Sequence, residues 1–244
     1  MTDQHLKTDV YRFYRRSRPG LHCFRLLIGE SDLWIEATSD CRMAAEKHLK
    51  TIRRQLKEYI YHHPQFLTTL TPWVEDPTAP EVVRRMIAAG QSAGVGPMAA
   101  VAGAIVGMLG EELLPANEEL LIENGGDLFL RLQQTRTVAL YAGNSPFSWK
   151  IGIKIQPGQA WGLCTSSGTV GPAYSEGKAD AAVVLAPDPA LADAVATACG
   201  NRIKKAADLA PTIDFATQIA GIKGVVLVIA NKMAVWGEIE LVKL

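Results

Sequence analysis

Leu120-Leu121-Ile122-Glu123-Asn124-Gly125-Gly126-Asp127-Leu128-Phe129-Leu130 sets two adjacent glycines, an amide and a carboxylate between two apolar runs. Each run is short and bounded by turn residues, the pattern of neighbouring strands. Asn-Gly and Gly-Asp are ordinary hairpin chemistry, so a tight turn is the simplest account. A second account starts from the bare backbone of Gly125 and Gly126. Without a Cβ, a ligand or another backbone can approach closely, and Asn124 and Asp127 would present polar groups at that opening. The segment alone leaves both accounts standing.

Working outward, the pattern from residue 118 to 165 is strand after strand: 120–124, 127–132, 137–141, 149–155 and 161–165. A further strand at 181–186 precedes a helix opened by Asp188 as cap and Pro189 in its first turn. The chain ends on strands at 224–230, 233–236 and 239–242, and begins on strands at 10–16, 21–29 and 32–37. Between these clusters, Ser39 or Asp40 can cap a long helix. Ala45, Leu49, Ile52, Leu56, Tyr59 and Ile60 form its apolar stripe, and Pro64 ends it. A proline-studded loop, 64–80, leads to a short helix near 81–89. Strand clusters separated by long helices, without strict alternation, predict an α+β fold. The 244 residues suffice for one domain or for two interleaved α+β lobes.

Composition excludes several classes. A hydrophobic fraction of 48% against 20% charged residues argues against disorder. With 25 basic and 25 acidic residues, no global field recruits nucleic acid or an anionic membrane. Tyr11-Arg12-Phe13-Tyr14-Arg15-Arg16 has the mixture of a single-stranded nucleic-acid platform. It also reads as an edge strand protected by charge, and the neutral chain favours that. Cys23, Cys41, Cys164 and Cys199 form no CxxC pair, which suits a reducing cytoplasmic setting. Residues 88–110 carry no charge. Gln91, Ser92 and Pro97 interrupt them, so a buried helix after a glycine-rich loop is expected rather than a membrane span.

Three further segments carry chemistry. Gly94-Val95-Gly96-Pro97-Met98 reads as a glycine turn feeding a helix, whose free N–H groups favour phosphate. It lacks the Gly-Lys-Ser/Thr ending of a Walker loop. Close packing through Ala99, Gly103 and Gly107 is the alternative, compatible with the first. Cys164-Thr165-Ser166-Ser167-Gly168 puts hydroxyls and a glycine just after a strand, suited to phosphate or a ring edge. A nucleophile at Cys164 or Ser166 would need a distant partner, since all five histidines fall within the first 63 residues. In the helix after Asp188, Asp193 and Thr197 are spaced i,i+4 and Asn201 extends the stripe. A carboxylate on so apolar a helix needs a partner. Carboxylate and hydroxyl oxygens suit Mg2+; backbone amides or an arginine would equally satisfy the Asp.

Together, these segments resemble the ApbE-like superfamily, whose best-known members are FAD:protein FMN transferases that use Mg2+. Ala192-Asp193-Ala194-Val195-Ala196-Thr197 is similar to the superfamily's Ala-Asp-Ala-x-Ala-Thr helix. Thr165-Ser166-Ser167-Gly168 is similar to its Thr-Ser-Gly turn with one added serine, and Glu123 to Asp127 to its Asn-x-Gly-Gly element. GVGPMAAVAGAI, ENGGD, CTSSGTVG and GKADA are identified more closely with one family of the superfamily, for which the likeness brings a fold and no reaction. The resemblance implies a cleft for a flavin (FAD or FMN) or other nucleotide-like ligand. Gly94, Gly96, Pro97, Met98, Asn124, Gly125, Gly126, Asp127, Thr165, Ser166, Ser167 and Gly168 would line it. Asp193 and Thr197 would hold Mg2+. The transferases' His-His-Ile and Pro-x-Thr-Gly elements have no match here, and Pro172-Ala173-Tyr174 lacks the histidine expected beside it. The expectations are therefore a small-molecule partner, no nucleic acid, no membrane and a homodimer as the commonest assembly. A non-catalytic binding or assembly protein is the alternative to FAD hydrolysis or FMN transfer.

Overall fold

The structure is a computed structural model and describes residues 19–170 and 176–244. The strand expected at 10–16, with the Tyr11 to Arg16 run, and the Pro172-Ala173-Tyr174 stretch lie outside them.

The predicted hairpin forms. Strands β3 (Leu120–Asn124) and β4 (Asp127–Arg131) pair antiparallel with Asn124 opposite Asp127, so Gly125 and Gly126 are the whole loop. Their φ angles of +66° and +109° lie where side-chain-bearing residues are strained, which is why two glycines stand there. Strands β1 (His22–Ile28) and β2 (Ser31–Ala37) continue the sheet on one side of this hairpin. On the other side stand β7 (Ala160–Ser166), β8 (Ala181–Ala186), β9 (Gly224–Ile229) and β10 (Lys232–Gly237). The order is β1-β2-β3-β4-β7-β8-β9-β10, and every pairing is antiparallel. A second sheet of β5 (Arg136–Ala139), β6 (Ile151–Ile155) and β11 (Glu240–Lys243) lies in the order β11-β6-β5.

Alternation along the strands creates two cores, one on each face of the large sheet. Leu33, Ile35, Ile122, Phe129, Cys164, Val184 and Val225 face the helices. Leu130, Leu163, Val183, Leu185 and Val226 face the small sheet, where Ile153 and Ile155 meet them. Strand β8 is buried at all six positions, which accounts for its unbroken apolar sequence Ala-Ala-Val-Val-Leu-Ala.

The helices follow the expected pattern with three differences. Helix α1 (Arg42–His62) buries Ala45, Leu49, Ile52, Leu56 and Tyr59 as its periodicity predicts. Neither Ser39 nor Asp40 is its cap: Cys41 holds that position and makes no side-chain cap bond, the Asp40 carboxylate accepts from the Arg42 N–H at 3.2 Å from one residue further out, and the Ser39 hydroxyl is taken up in donating to Asn117 Oδ1 at 2.8 Å. Helix α2 (Glu81–Ala93) runs one turn beyond the expected 81–89 and stops at Gly94, whose φ of +71° ends it. Helix α5 (Leu209–Thr217) carries no sequence signal strong enough to have been expected.

Helix α3 (Val101–Leu113) follows a short 3-10 turn at Pro97–Ala100. The run Pro97–Ala116 has 20 residues of mean hydropathy 1.4, enough in length and composition to cross a membrane. Its apolar character has another use in this fold. Ala104, Ile105, Val106 and Leu109 are buried against the large sheet and helix α4 (Pro189–Arg202). Helix α4 starts as predicted, with the Asp188 carboxylate accepting from the Ala190 N–H at 2.9 Å. All four cysteines are free thiols, three of them buried.

Pro189, the first residue of α4, is wedged between three glycines. A Cβ on Gly103 would stand 2.2 Å from the Pro189 carbonyl oxygen, and one on Gly162 of β7 2.5 Å from its Cα. On Gly107 the nearest Pro189 atoms would be 3.4 Å away, an ordinary contact. Of the expected packing residues, Gly103 is the one the close approach of Pro189 requires, while Gly107 stands beside the proline with room for a Cβ. Gly103→Ala and Gly162→Ala should each cost about 1–3 kcal/mol by overpacking. Gly107→Ala should stay within about 1 kcal/mol of the parent, helped by better helix propensity. Urea denaturation of the three variants measures the contrast, and equal losses would refute the wedge.

Candidate functional site

A cavity of about 560 Å3 opens on the helix face of the large sheet. Its walls come from the loop before α3, the start of β4, helix α4 and the proline-rich loop after α1. Of the residues singled out in the sequence, Gly94, Gly96, Met98, Asp127, Asp193 and Thr197 line it. Asn201 joins them as the third member of the α4 stripe, and Arg202 borders the cavity while its guanidinium lies over the Phe215 ring and donates to the Ala198 carbonyl at 2.8 Å. The i,i+4 spacing read in the sequence therefore places one polar face of α4 toward one cavity.

The remaining candidates fall elsewhere. Pro97 is buried as the first residue of its 3-10 turn. Asn124 is half-buried beside the hairpin tip, and a Cβ on Gly125 would meet open space. Gly126 and Thr165 border a different cavity on the opposite face of the sheet. Ser166 ends β7. The Ser167 hydroxyl accepts from the Val170 N–H at 2.9 Å, tying the turn to itself. Gly168 is a close-approach glycine, for a Cβ there would stand 2.2 Å from the Gly177 carbonyl oxygen. Its N–H donates to the Ala179 carbonyl at 2.9 Å.

Three acids line the cavity, of which Asp127 and Asp193 are buried and Glu176 is exposed. Asp193, 9% exposed, accepts from the Gly103 N–H at 2.9 Å. With the Ala102 N–H also directed at it, the carboxylate sits on the positive end of helix α3. This changes the expectation that those N–H groups lie open to phosphate: the protein's own anion takes them. Burial pushes the Asp193 carboxyl well above the usual range, the charge of Asp127 adds to the rise, and the two N–H groups oppose it. Asp127, 7% exposed, accepts from the Thr165 N–H at 3.3 Å. Burial raises it to about 7, with Glu123 adding to the rise, while the Cys164 thiol and the Thr165 N–H pull it down.

Cys164 is fully buried, and its thiol donates to the Pro189 carbonyl at 3.4 Å. Burial first, then Asp127 and Asp193, hold the thiol well above its ordinary value. Only the Leu128 backbone works the other way, so the thiol is held protonated and the nucleophile considered at Cys164 finds no support. No histidine is among the described residues lining the cavity.

Oxygen donors of this kind, two carboxylates and the Thr197 hydroxyl, are chemically suited to Mg2+. Among the described residues, no group of three or more His, Cys, Asp or Glu is arranged to hold a metal ion. A site here would thus need hydroxyl or carbonyl oxygens beside the carboxylates.

Sequence reading missed the proline-rich loop as a wall. Leu67, Thr69 and Leu70 reach the cavity because Gly96 lies directly beneath the Thr69 carbonyl, where a Cβ would stand 2.0 Å from the oxygen. Only the bare glycine, not any local pattern in 64–80, foreshadows that contact.

A family model described as AbpE bacteria matches residues 14–232. The chain belongs to that family. It is 46% identical over 190 residues to a UPF0280 protein of Methanocella arvoryzae, covering 77% of each chain. It is 39% identical over 228 residues to a UPF0280 protein of Methanocaldococcus jannaschii, covering 90% of this chain and 92% of that one. Among solved structures, the apo flavinyl transferase ApbE of Pseudomonas stutzeri superposes with a TM-score of 0.60 at 13% identity, over 89% of this chain and 94% of that one. The ApbE protein of Thermotoga maritima superposes with a TM-score of 0.57 at 13% identity, over 89% and 96%. The ApbE-like α+β fold expected from the motifs is thereby shown for this family member.

The two raised carboxyls have a signed consequence for the metal-free protein. Unfolded Asp127 loses its proton near the ordinary value of 3.8, whereas the folded group keeps it to about 7. Across that window the native state holds more protons, so this group makes stability fall as pH rises, until the slope ends above the folded value. Asp193 contributes in the same direction. Urea denaturation in the presence of a chelator should show the fall, and Asp127→Asn should flatten it. An unchanged slope would refute the assignment.

Proposed function

We propose that the cavity between the Gly94–Met98 loop, Asp127 and the α4 stripe binds a flavin or another nucleotide-like ligand, with Mg2+ held by Asp193, Thr197 and Asp127. The observation that carries this reading is the meeting of three segments, remote in sequence, at one cavity containing two buried carboxylates. Like charges brought together out of water are unfavourable, and a divalent cation relieves both the burial and the mutual repulsion. Mg2+ keeps open positions for phosphate oxygens, which gives a carboxylate-lined cavity a means of accepting an anionic ligand. Leu67, Leu70 and Met98 supply apolar surface for a planar ring. Fold likeness to proteins described as flavin transferases makes flavin nucleotides the first ligands to test.

FAD hydrolysis or FMN transfer is the catalytic form of the same reading, supported by that likeness. The cavity's described lining has no histidine, and the transferases' His-His-Ile stretch is missing from the sequence. This favours binding, or metal-assisted cleavage without a histidine, over the full transferase reaction. The small-molecule partner and a cytoplasmic setting belong to this proposal, as does assembly as a homodimer.

Incubating the purified chain with FAD and Mg2+ separates the alternatives. FMN and AMP formation abolished by Asp193→Asn identifies a phosphoanhydride-cleaving enzyme. Saturable FAD binding without products identifies a binding module. Under either outcome, Mg2+ plus FAD at about 100 times the Kd should stabilise the protein by about 2.7 kcal/mol. Asp193→Asn should lose that gain. Absence of binding across a panel of flavin and adenine nucleotides, with and without Mg2+, would refute the proposal.

A further inference from the structure

Strand β10 closes one side of the large sheet, and among the described residues it pairs only with β9. Its outer edge lacks the usual guards against a further strand. The register with β9 runs unbroken from Lys232 to Gly237, so no bulge turns the edge away, and the strand contains no proline. Its one charge, Lys232, stands at the end of the strand. Strand β1, on the opposite side of the sheet, instead carries Arg25 at mid-strand, paired with Asp32 at 2.6 Å. Val235 and Trp236, 41% and 36% exposed, are large apolar residues left at the surface of β10.

The phase of the ladder sets which backbone groups point outward. The Glu238 N–H donates to the Lys223 carbonyl at 2.7 Å, one step beyond the Gly237–Gly224 pair. Bonding residues alternate in an antiparallel pair, so Trp236, Ala234 and Lys232 also bond toward β9. Met233 and Val235 therefore present N–H and carbonyl to the outside, and Gly237 presents its N–H. The Gly237 carbonyl accepts from the Ile239 N–H at 2.8 Å. A partner that satisfies this edge must offer alternating N–H and carbonyl groups of its own, as another strand does.

We propose that the partner is a second copy of this chain, the two β10 strands pairing antiparallel about a two-fold axis at Val235. In that register every position meets a complement. Val235 faces Val235 of the second copy and Met233 faces Gly237, with their outward backbone groups toward each other. In the closer, non-hydrogen-bonded pairs, Ala234 lies beside Trp236, small against large, and Lys232 lies opposite Glu238. Lys232 makes no ion pair among the described residues, and Glu238 is exposed with Lys223 3.9 Å away. None of these residues lines the cavity assigned to a nucleotide, so the interface stands apart from the ligand reading and gives the proposed homodimer a surface.

Sedimentation velocity of the full-length chain over a concentration series should show a monomer–dimer equilibrium. Val235→Pro removes an outward N–H without touching the β9 ladder, and should shift the equilibrium to monomer while thermal melts show it folded. Lys232→Glu and Glu238→Lys each set like charges against each other at both ends of the interface. Each should raise the dimer Kd about tenfold or more. Mixed in equal amounts, the two charge variants should recover the parent's affinity, because every facing pair in the mixed dimer is again of opposite sign. That recovery decides the matter even if Val235→Pro fails to fold. A parent chain that stays monomeric throughout overturns the interface and the homodimer alike. A dimer indifferent to the charge reversals, or a mixture that recovers nothing, overturns this interface alone.

Discussion

The contact of Pro189 with Gly103 and Gly162 sets the spacing on which the rest of the helix layer depends. It brings the first turn of α4 against α3 and β7 at backbone distance, so α4 lies deeper than an ordinary side-chain interface would allow. Asp193, one turn further along α4, is thereby carried to the start of α3. Its hydrogen bond to Gly103 spans 90 residues of sequence and joins the same pair of helices. Close packing and the placement of the carboxylate are one arrangement: a bulkier residue at 103 would displace both.

From this packing follows the electrostatics of the cleft. The α3 N-terminus stabilises the Asp193 charge, while burial and Asp127 oppose it more strongly. The metal-free protein therefore favours protonated carboxyls there, and a bound cation would reverse that preference. A metal bound as proposed would compete with the proton for a common pair of carboxylates. Local stability is given up at the place where binding would restore it.

What was legible in the sequence was legible through local period and turn chemistry. Gly125 and Gly126 announced the hairpin because a two-residue loop with positive φ needs them. The α1 stripe from Ala45 to Tyr59 announced a helix. Asp193, Thr197 and Asn201 fell on one face by helical spacing alone. Partners remote in sequence were not readable in this way. Nothing near Asp193 said that α3 would hold it, nor near Thr69 that Gly96 would lie beneath it. Helix α5 escaped because Leu-Ala-Pro-Thr-Ile-Asp-Phe-Ala-Thr carries a proline and several β-branched or aromatic residues; packing overrides that weak local preference. The serines at 166 and 167 matched a motif in composition, but pairing at the end of β7 and bonds within the turn set their positions instead.

The strand pair that begins at the glycine turn also acts as a partition. Asp127 faces one chamber, Gly126 and Thr165 border the other, and the bond from the Thr165 N–H to Asp127 passes through the wall between them. That wall is a single layer of backbone. An occupant pressing on one side meets, through one peptide group, the carboxylate that an occupant on the other side would use. Were ligands to occupy both, any shift of that peptide by one would change the affinity of the other by the same factor. The hairpin is thus a common boundary, a single backbone layer with one cavity on each side.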